Sequence, residues 1–237
     1  MHMIIFEPIK YTSKQIGVIN VSNHDFNVPV DFHDEHDLLH DLFESIICVE
    51  GKYLLYKDKA TGKEQKHLER VFAYELYRQW ANIIQIKWGD KLVINGEIEK
   101  EPQLFNHFKS RVHKYPDLVL HSSQGDCDFQ GVVCEIKTTH VTPSSFKDDI
   151  DKLNCFVCCE NEDYRFTFGV FILIGADMDK ILDMMDGMEG DVFKATPKER
   201  IDRLICVTYY HNHLKAVRFD WLIKKEGRDE LRKQINT

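Results

Sequence analysis

Apolar and polar residues alternate in short runs that favour strands, and these runs are separated by stretches with helical spacing. Runs of Val, Ile, Leu and Phe at 89–95, 166–175, 203–210 and 214–223 predict strands, with 166–175 buried in the centre. Apolar residues three and four apart predict helices over 34–47, 64–86, 144–158 and 178–188. This order predicts an α/β fold with a mixed central sheet of about five strands flanked by helices.

The stretch 115–139 has the pattern of a β-hairpin. Two apolar runs flank a polar segment, 122–131, that is rich in turn-forming residues. Side chains alternate along a strand, so Glu135 and Lys137 share one face, and Asp117 lies on one face with Val119 and His121. Burying an unpaired charge is costly. A divalent cation held between the two carboxylates would remove that cost.

Pro116-Asp117 followed by Glu135-Ile136-Lys137 resembles the signature of the PD-(D/E)xK nuclease superfamily, which has the restriction-endonuclease-like fold. A predicted helix carrying a carboxylate precedes the hairpin, and a second predicted helix follows it. The resemblance covers about 64–223. It implies a nuclease-like domain over 64–237, preceded by an α+β extension over 1–63. It also implies a deoxyribonuclease that uses Mg²⁺ or Mn²⁺, with a role such as restriction, defence or mobile-element processing.

The resemblance also assigns roles to residues. Asp117 and Glu135 would bind the metal together with the backbone carbonyl of Ile136, and Lys137 would orient or deprotonate the attacking water and stabilise developing charge. Glu75, on the predicted helix 64–86, would add a ligand or contact one. Two alternatives stay open there: Glu75 pairs with Arg78 or Arg70, or Glu69 takes the role.

Basic residues beside the hairpin are candidates for contacting nucleic acid. Lys109, Arg111 and Lys114 precede Asp117, where they are either phosphate contacts or cations at the end of a helix. Lys152, on the helix after the hairpin, is a further candidate for a phosphate contact.

The charge distribution favours a second hypothesis. The net charge is −8, and residues 1–50 hold nine acidic residues and two lysines. Because phosphate contacts favour a basic surface, net acidity favours a catalytically inactive binding or assembly subunit of the same fold. The acidic N-terminal region is then a candidate docking surface for a protein partner. A homodimer is expected only by analogy with restriction enzymes.

Composition predicts a cytoplasmic protein. Seven cysteines without a signal-peptide pattern indicate a reducing environment, and no apolar run is long enough to cross a bilayer. Cys155, Cys158 and Cys159 have metal-ligand spacing but lack a second cysteine pair, so buried thiols are favoured. His33, His36 and His40 share a helix side that we interpret as a solvated acidic face rather than a metal site.

Overall fold

The chain folds as a mixed β-sheet between two layers of helices. The computed structural model describes residues 19–21, 35–53, 56–57, 64–65, 69–96, 116–122, 129–188 and 198–235. The helices are α1 (Glu35–Ile47), α2 (Glu69–Trp88), α3 (Pro143–Val157), α4 (Met178–Asp186), α5 (Phe219–Leu222) and α6 (Lys225–Ile235). The strands are β1 (Ile19–Val21), β2 (Tyr56–Lys57), β3 (Glu64–Gln65), β4 (Leu92–Gly96), β5 (Leu118–Ser122), β6 (Gln130–Thr138), β7 (Phe168–Ile174), β8 (Leu204–Tyr210) and β9 (His213–Arg218).

The main sheet has the strand order β1-β9-β8-β7-β6-β5-β4. Strands β6, β7 and β8 are parallel neighbours, whereas β4, β5 and β9 pair antiparallel with their neighbours. Strands β4 to β9 make six, and the three-residue β1 extends the edge. The α/β class and the mixed sheet are therefore confirmed, but the prediction of about five strands was too low. The predicted strand 214–223 ends at Arg218, where the chain turns into α5.

Alternate residues of each strand face the two helical layers. On one side, Val132, Cys134 and Ile136 of β6 pack in a buried cluster with α1 and α2. On the other side, Val133 packs in a second cluster with α3, α4, α5 and α6. Because both sheet faces are covered, the parallel strands β7 and β8 are apolar on both sides.

Helix α1 belongs to the main core. Leu42 and Ile46 are completely buried, and Leu38 and Phe43 are nearly so, in the same cluster as α2 and the sheet. The described part of the predicted N-terminal extension thus shares its core with the rest of the chain. The boundary at 63 stays a prediction.

Helix α3 lies unusually close to the sheet. Thr142 caps its first turn through a reciprocal capping box with Ser145, which fixes where the helix starts. A Cβ added at Gly169 of β7 would lie 3.2 Å from Val157 Cγ1 and 3.3 Å from Leu153 Cβ. The missing side chain at Gly169 therefore sets how near α3 approaches the strands.

Helix α6 is fastened to α4 by a buried arginine. Arg228 donates to Asp186 Oδ1 at 2.6 Å and to the Leu222 carbonyl at 2.8 Å. Burial raises the pKa of Asp186, but hydrogen bonds from Arg228 and Arg232 outweigh it and lower the pKa overall. The C-terminal helix is thus part of the folded unit.

We expect Gly227→Ala to destabilise the protein by about 1–3 kcal/mol, the usual cost of overpacking. A Cβ at this position would lie 2.3 Å from the backbone oxygen of Trp221, so α6 must shift relative to α5. Urea unfolding of the variant and of an Ala substitution at the exposed Lys233 measures the difference. Equal midpoints would show that the contact relaxes freely.

Two general features complete the fold. No disulfide joins the cysteines of the described residues. Among the helices in the described ranges, none has the length and apolar character to cross a membrane.

Candidate metal centre

The β5–β6 hairpin brings Asp117 and Glu135 together. Leu118 pairs with Cys134 in the antiparallel register, which places Asp117 opposite Glu135. The Asp117 N–H donates to the Cys134 carbonyl at 3.1 Å, and Asp117 Oδ2 accepts from the Ile136 N–H at 2.6 Å. Like charges directly opposite each other are unfavourable in a sheet, so this pair needs positive charge nearby.

Glu135 is a buried carboxylate with an incomplete set of partners. Its side chain is 1% exposed, and Oε2 lies 2.6 Å from Lys152 Nζ. Among the described residues, neither buried carboxylate oxygen has a hydrogen-bond partner beyond this ion-pair contact. Burial, reinforced by the negative charge of Asp117, raises the pKa of Glu135 to about 8. The surroundings of Glu135 therefore disfavour the ionised form of its carboxyl group.

Lys137 lies among acceptors on the same strand as Glu135, two residues further along β6. Its Nζ donates to the Ile136 carbonyl at 3.2 Å and lies 3.5 Å from Glu69 Oε1 and 3.8 Å from Asp149 Oδ2. Burial lowers the pKa of Lys137, but the surrounding carboxylates, Asp149 and Asp117 foremost, raise it overall. The side chain is thus held as an ammonium.

Glu69, not Glu75, is the acid that α2 brings to this cluster. Burial raises the pKa of Glu69, and the nearby Asp117 and Asp149 add to the effect while Lys137 opposes it. Glu75 accepts instead from Arg78 Nη2 at 2.5 Å and Gln79 Nε2 at 2.8 Å on its own helix. Glu75 therefore pairs with Arg78, and Glu69 is the carboxylate of α2 that lies in the cluster.

Asp149 of α3 is a member that sequence reasoning did not assign to the site. It is 7% exposed, and its Oδ2 has no hydrogen-bond partner within the described ranges. Burial raises the pKa of Asp149 against the opposing effect of Lys137 and Lys152. The signal was present, because Asp149 lies on the apolar stripe of its helix between Phe146 and Leu153.

These six side chains form what we call the acidic cluster: Glu69, Asp117, Glu135, Lys137, Asp149 and Lys152. Four carboxylates meet two ammonium groups, a formal excess of two negative charges in a half-buried place. Hard divalent cations prefer oxygen ligands, which this cluster supplies. A Mg²⁺ or Mn²⁺ ion would balance the charge and give the Glu135 carboxylate a partner. By the resemblance, Asp117, Glu135 and the Ile136 carbonyl would be the groups that hold it.

A second group of residues has the chemistry of metal ligands. Within the described part of the chain, His40, Asp41 and Glu44 are the three-residue set whose ligand atoms lie within 4.8 Å of one another. The buried Asp41, however, already accepts from Lys87 Nζ at 2.5 Å and Trp88 Nε1 at 2.9 Å. Both oxygens of this carboxylate accept hydrogen bonds that join α1 to α2, so we do not assign a metal here.

Several predicted residues lie outside the described ranges. These are the phosphate-contact candidates Lys109, Arg111 and Lys114, together with His33. Lys152 is described, and it contacts Glu135 and Asp149 at 2.6 and 3.8 Å.

Comparison with known proteins assigns no family or function to the chain, so the fold and the chemistry of the acidic cluster are the basis for its function. No family model, curated protein or solved structure matches the chain.

Proposed function

We propose that the protein is a metal-dependent nuclease of the PD-(D/E)xK type, which hydrolyses phosphodiester bonds of DNA at the acidic cluster. One observation carries the proposal. Buried Glu135 stands opposite Asp117, and Lys137 lies two residues further along the strand. Neither carboxylate oxygen of Glu135 has a hydrogen-bond partner among the described residues beyond the ion pair with Lys152. A cost of this kind, kept inside a packed sheet, is typical of functional sites rather than of cores.

The order of elements agrees with what the resemblance implies. A helix bearing Glu69 precedes the hairpin that carries Asp117, Glu135 and Lys137, and a helix bearing Asp149 follows it. Strand β6 lies inside the sheet with neighbours on both sides, so its backbone is fixed. A rigid strand suits a site whose ligands include a backbone carbonyl.

Each residue of the cluster has a distinct task in this proposal. Asp117 and Glu135 bind the cation, which when bound polarises the phosphate and lowers the pKa of a coordinated water. Asp117 is oriented for this by the Ile136 N–H, which engages only one of its two oxygens. Glu69 and Asp149 hold the Lys137 ammonium near the carbonyl of Ile136.

Lys137 acts in the proposal as a cation rather than as a base. Its ammonium donates to a carbonyl and faces two carboxylates, and an ammonium has no lone pair with which to accept a proton. It orients the attacking water through a donated hydrogen bond and offsets negative charge that develops on the phosphate.

The alternative, an inactive binding or assembly subunit, has its own support. Lys152 already neutralises Glu135, Asp117 already accepts from a backbone N–H, and the net charge is −8. Carboxylates that already have these partners without a cation are consistent with a subunit that has the fold but no catalytic activity. The two functions differ in their response to divalent ions.

Incubation of supercoiled and linear DNA with Mg²⁺, Mn²⁺ or chelator tests the proposal. We expect cleavage by the wild type that requires the cation and that Asp117→Asn abolishes, since an amide is a poor ligand for a hard cation. Asp151→Asn is the matched control, because Asp151 lies on α3 and pairs with Lys147 at the surface. Cleavage that persists in chelator or in Asp117→Asn would contradict the proposal.

A further inference from the structure

Lys152 makes the shortest contact to the carboxylate that is proposed to bind the cation. Its Nζ lies 2.6 Å from Glu135 Oε2, and its side chain is 20% exposed. A divalent ion bound to this oxygen, at about 2.0–2.1 Å for Mg²⁺, would lie too close to the ammonium for both to stay. A cation and this ammonium compete for the same carboxylate.

The lysine can move without any movement of the helix. The backbone of α3 is fixed by its capping box and by its close approach to Gly169. The side chain, in contrast, has four methylene groups whose torsions the helix backbone does not fix, and it is 20% exposed. Displacement of the ammonium is thus a local rotation that leaves the cluster's other members in place.

Asp149 offers a second acceptor one helical turn away. Its Oδ1 lies 3.8 Å from Lys152 Nζ, and its Oδ2 has no hydrogen-bond partner in the described residues. Residues three apart on a helix are neighbours, so the lysine can exchange Glu135 for Asp149 at little cost. The acceptor that the displaced ammonium needs is therefore already buried beside it.

We propose that Lys152 is an internal counter-ion that stands in for the divalent cation on Glu135, and that cation binding transfers its ammonium to Asp149. The inference deepens the proposed function and rests on its metal site. Lys152 keeps the cluster near charge balance while the cation is away, and its displacement makes cation binding an exchange rather than an addition. Asp149 is a positioning residue that acts through Lys152.

Lys152→Met tests the exchange, because methionine keeps the length of the side chain and removes its charge. We expect the affinity for Mn²⁺ and Mg²⁺, measured by calorimetric titration, to rise by at least about tenfold, since the interaction between unit charges in contact far exceeds that threshold. The melting temperature without cation should fall, and its increase on adding cation should exceed that of the wild type. Lys147→Met, which removes a surface charge from the same helix, should leave the affinity unchanged.

Asp149→Asn tests whether Asp149 receives the Lys152 ammonium or only attracts the cation through its negative charge. In the wild-type background it should lower cation affinity, and in the Lys152→Met background it should lower it much less, because no ammonium remains to be received. An affinity in Lys152→Met within twofold of the wild type would overturn the exchange, as would the absence of binding in both proteins. Equal effects of Asp149→Asn in the two backgrounds would overturn the transfer. Tighter cation binding by Lys152→Met in a protein that never cuts DNA would uphold the exchange and remove the proposed nuclease.

Discussion

Lys137→Met should lower the rate of Mg²⁺-dependent DNA cleavage by about 10²–10³-fold, the range expected when one hydrogen-bond donor that offsets developing negative charge is lost. Methionine retains the aliphatic stem that crosses the cluster but donates no hydrogen bond. The Ile136 carbonyl and the carboxylates of Glu69 and Asp149 then lose the ammonium that they share. The attacking water loses its orientation, and charge on the phosphate is offset less.

The effect should be confined to the reaction step. Asp117 and Glu135 are unchanged in this variant, so the increase of melting temperature with Mg²⁺ should persist. Single-turnover cleavage of a linear duplex, combined with thermal melts at several cation concentrations, separates the two quantities. A variant that cuts DNA at the wild-type rate would remove Lys137 from the mechanism, and a contaminating nuclease would be revealed by activity that survives in Asp117→Asn as well.

Glu135→Gln should abolish stabilisation of the protein by divalent cations. At a cation concentration one hundredfold above Kd, binding to the folded state adds about 2.7 kcal/mol to the free energy of unfolding. For a chain of this length that corresponds to a rise in melting temperature of about 5–10 °C. The amide replaces the carboxylate on which the cation site depends, so the variant should show no rise, and DNA cleavage should be lost with it.

Without cation, the same substitution should leave stability equal to or above that of the wild type. Glu135 is 1% exposed and faces Asp117, so its removal relieves burial of a charge and repulsion between two carboxylates. Lys152 keeps Asp149 as a neighbour. Differential scanning calorimetry with chelator and with Mn²⁺ gives both values. A large loss of stability in chelator would show that Glu135 is chiefly a structural ion-pair partner.

The proximity of the candidates that lie on the hairpin follows from the strict alternation of side chains along strands, and their role in a metal site stays a prediction. Asp117, Glu135 and Lys137 lie toward one face of the sheet because side chains alternate with period two and the hairpin register aligns β5 with β6. The helix contribution was predicted only in part, because Glu75 was the first choice, Glu69 was the open alternative and Asp149 was not assigned. Periodicity identified the stripe of α2, but it carries no information on which turn of a helix lies beside a strand. Glu69 in the first turn reaches the cluster, whereas Glu75 meets Arg78 and Gln79.

Tertiary packing accounts for the other differences. Helix α1 was predicted as an element, but its place in the main core depends on contacts with α2 and the sheet that no local pattern records. Asp149 was visible as a carboxylate on an apolar stripe, yet its partners come from β6 as well as from its own helix. The six-stranded sheet exceeded the prediction although its strands were each recognisable from composition and alternation.

The packing of α3 at Gly169 affects the position of the charged side chains that α3 contributes to the acidic cluster. Leu153 and Val157 rest against this position, and Lys152 and Asp149 project from the same helix toward β6. A larger residue at Gly169 would crowd Leu204 of β8 as well as Leu153 and Val157 of α3. We therefore expect it to shift α3 on the sheet and to change the contact between Lys152 and Glu135 without altering any charged residue.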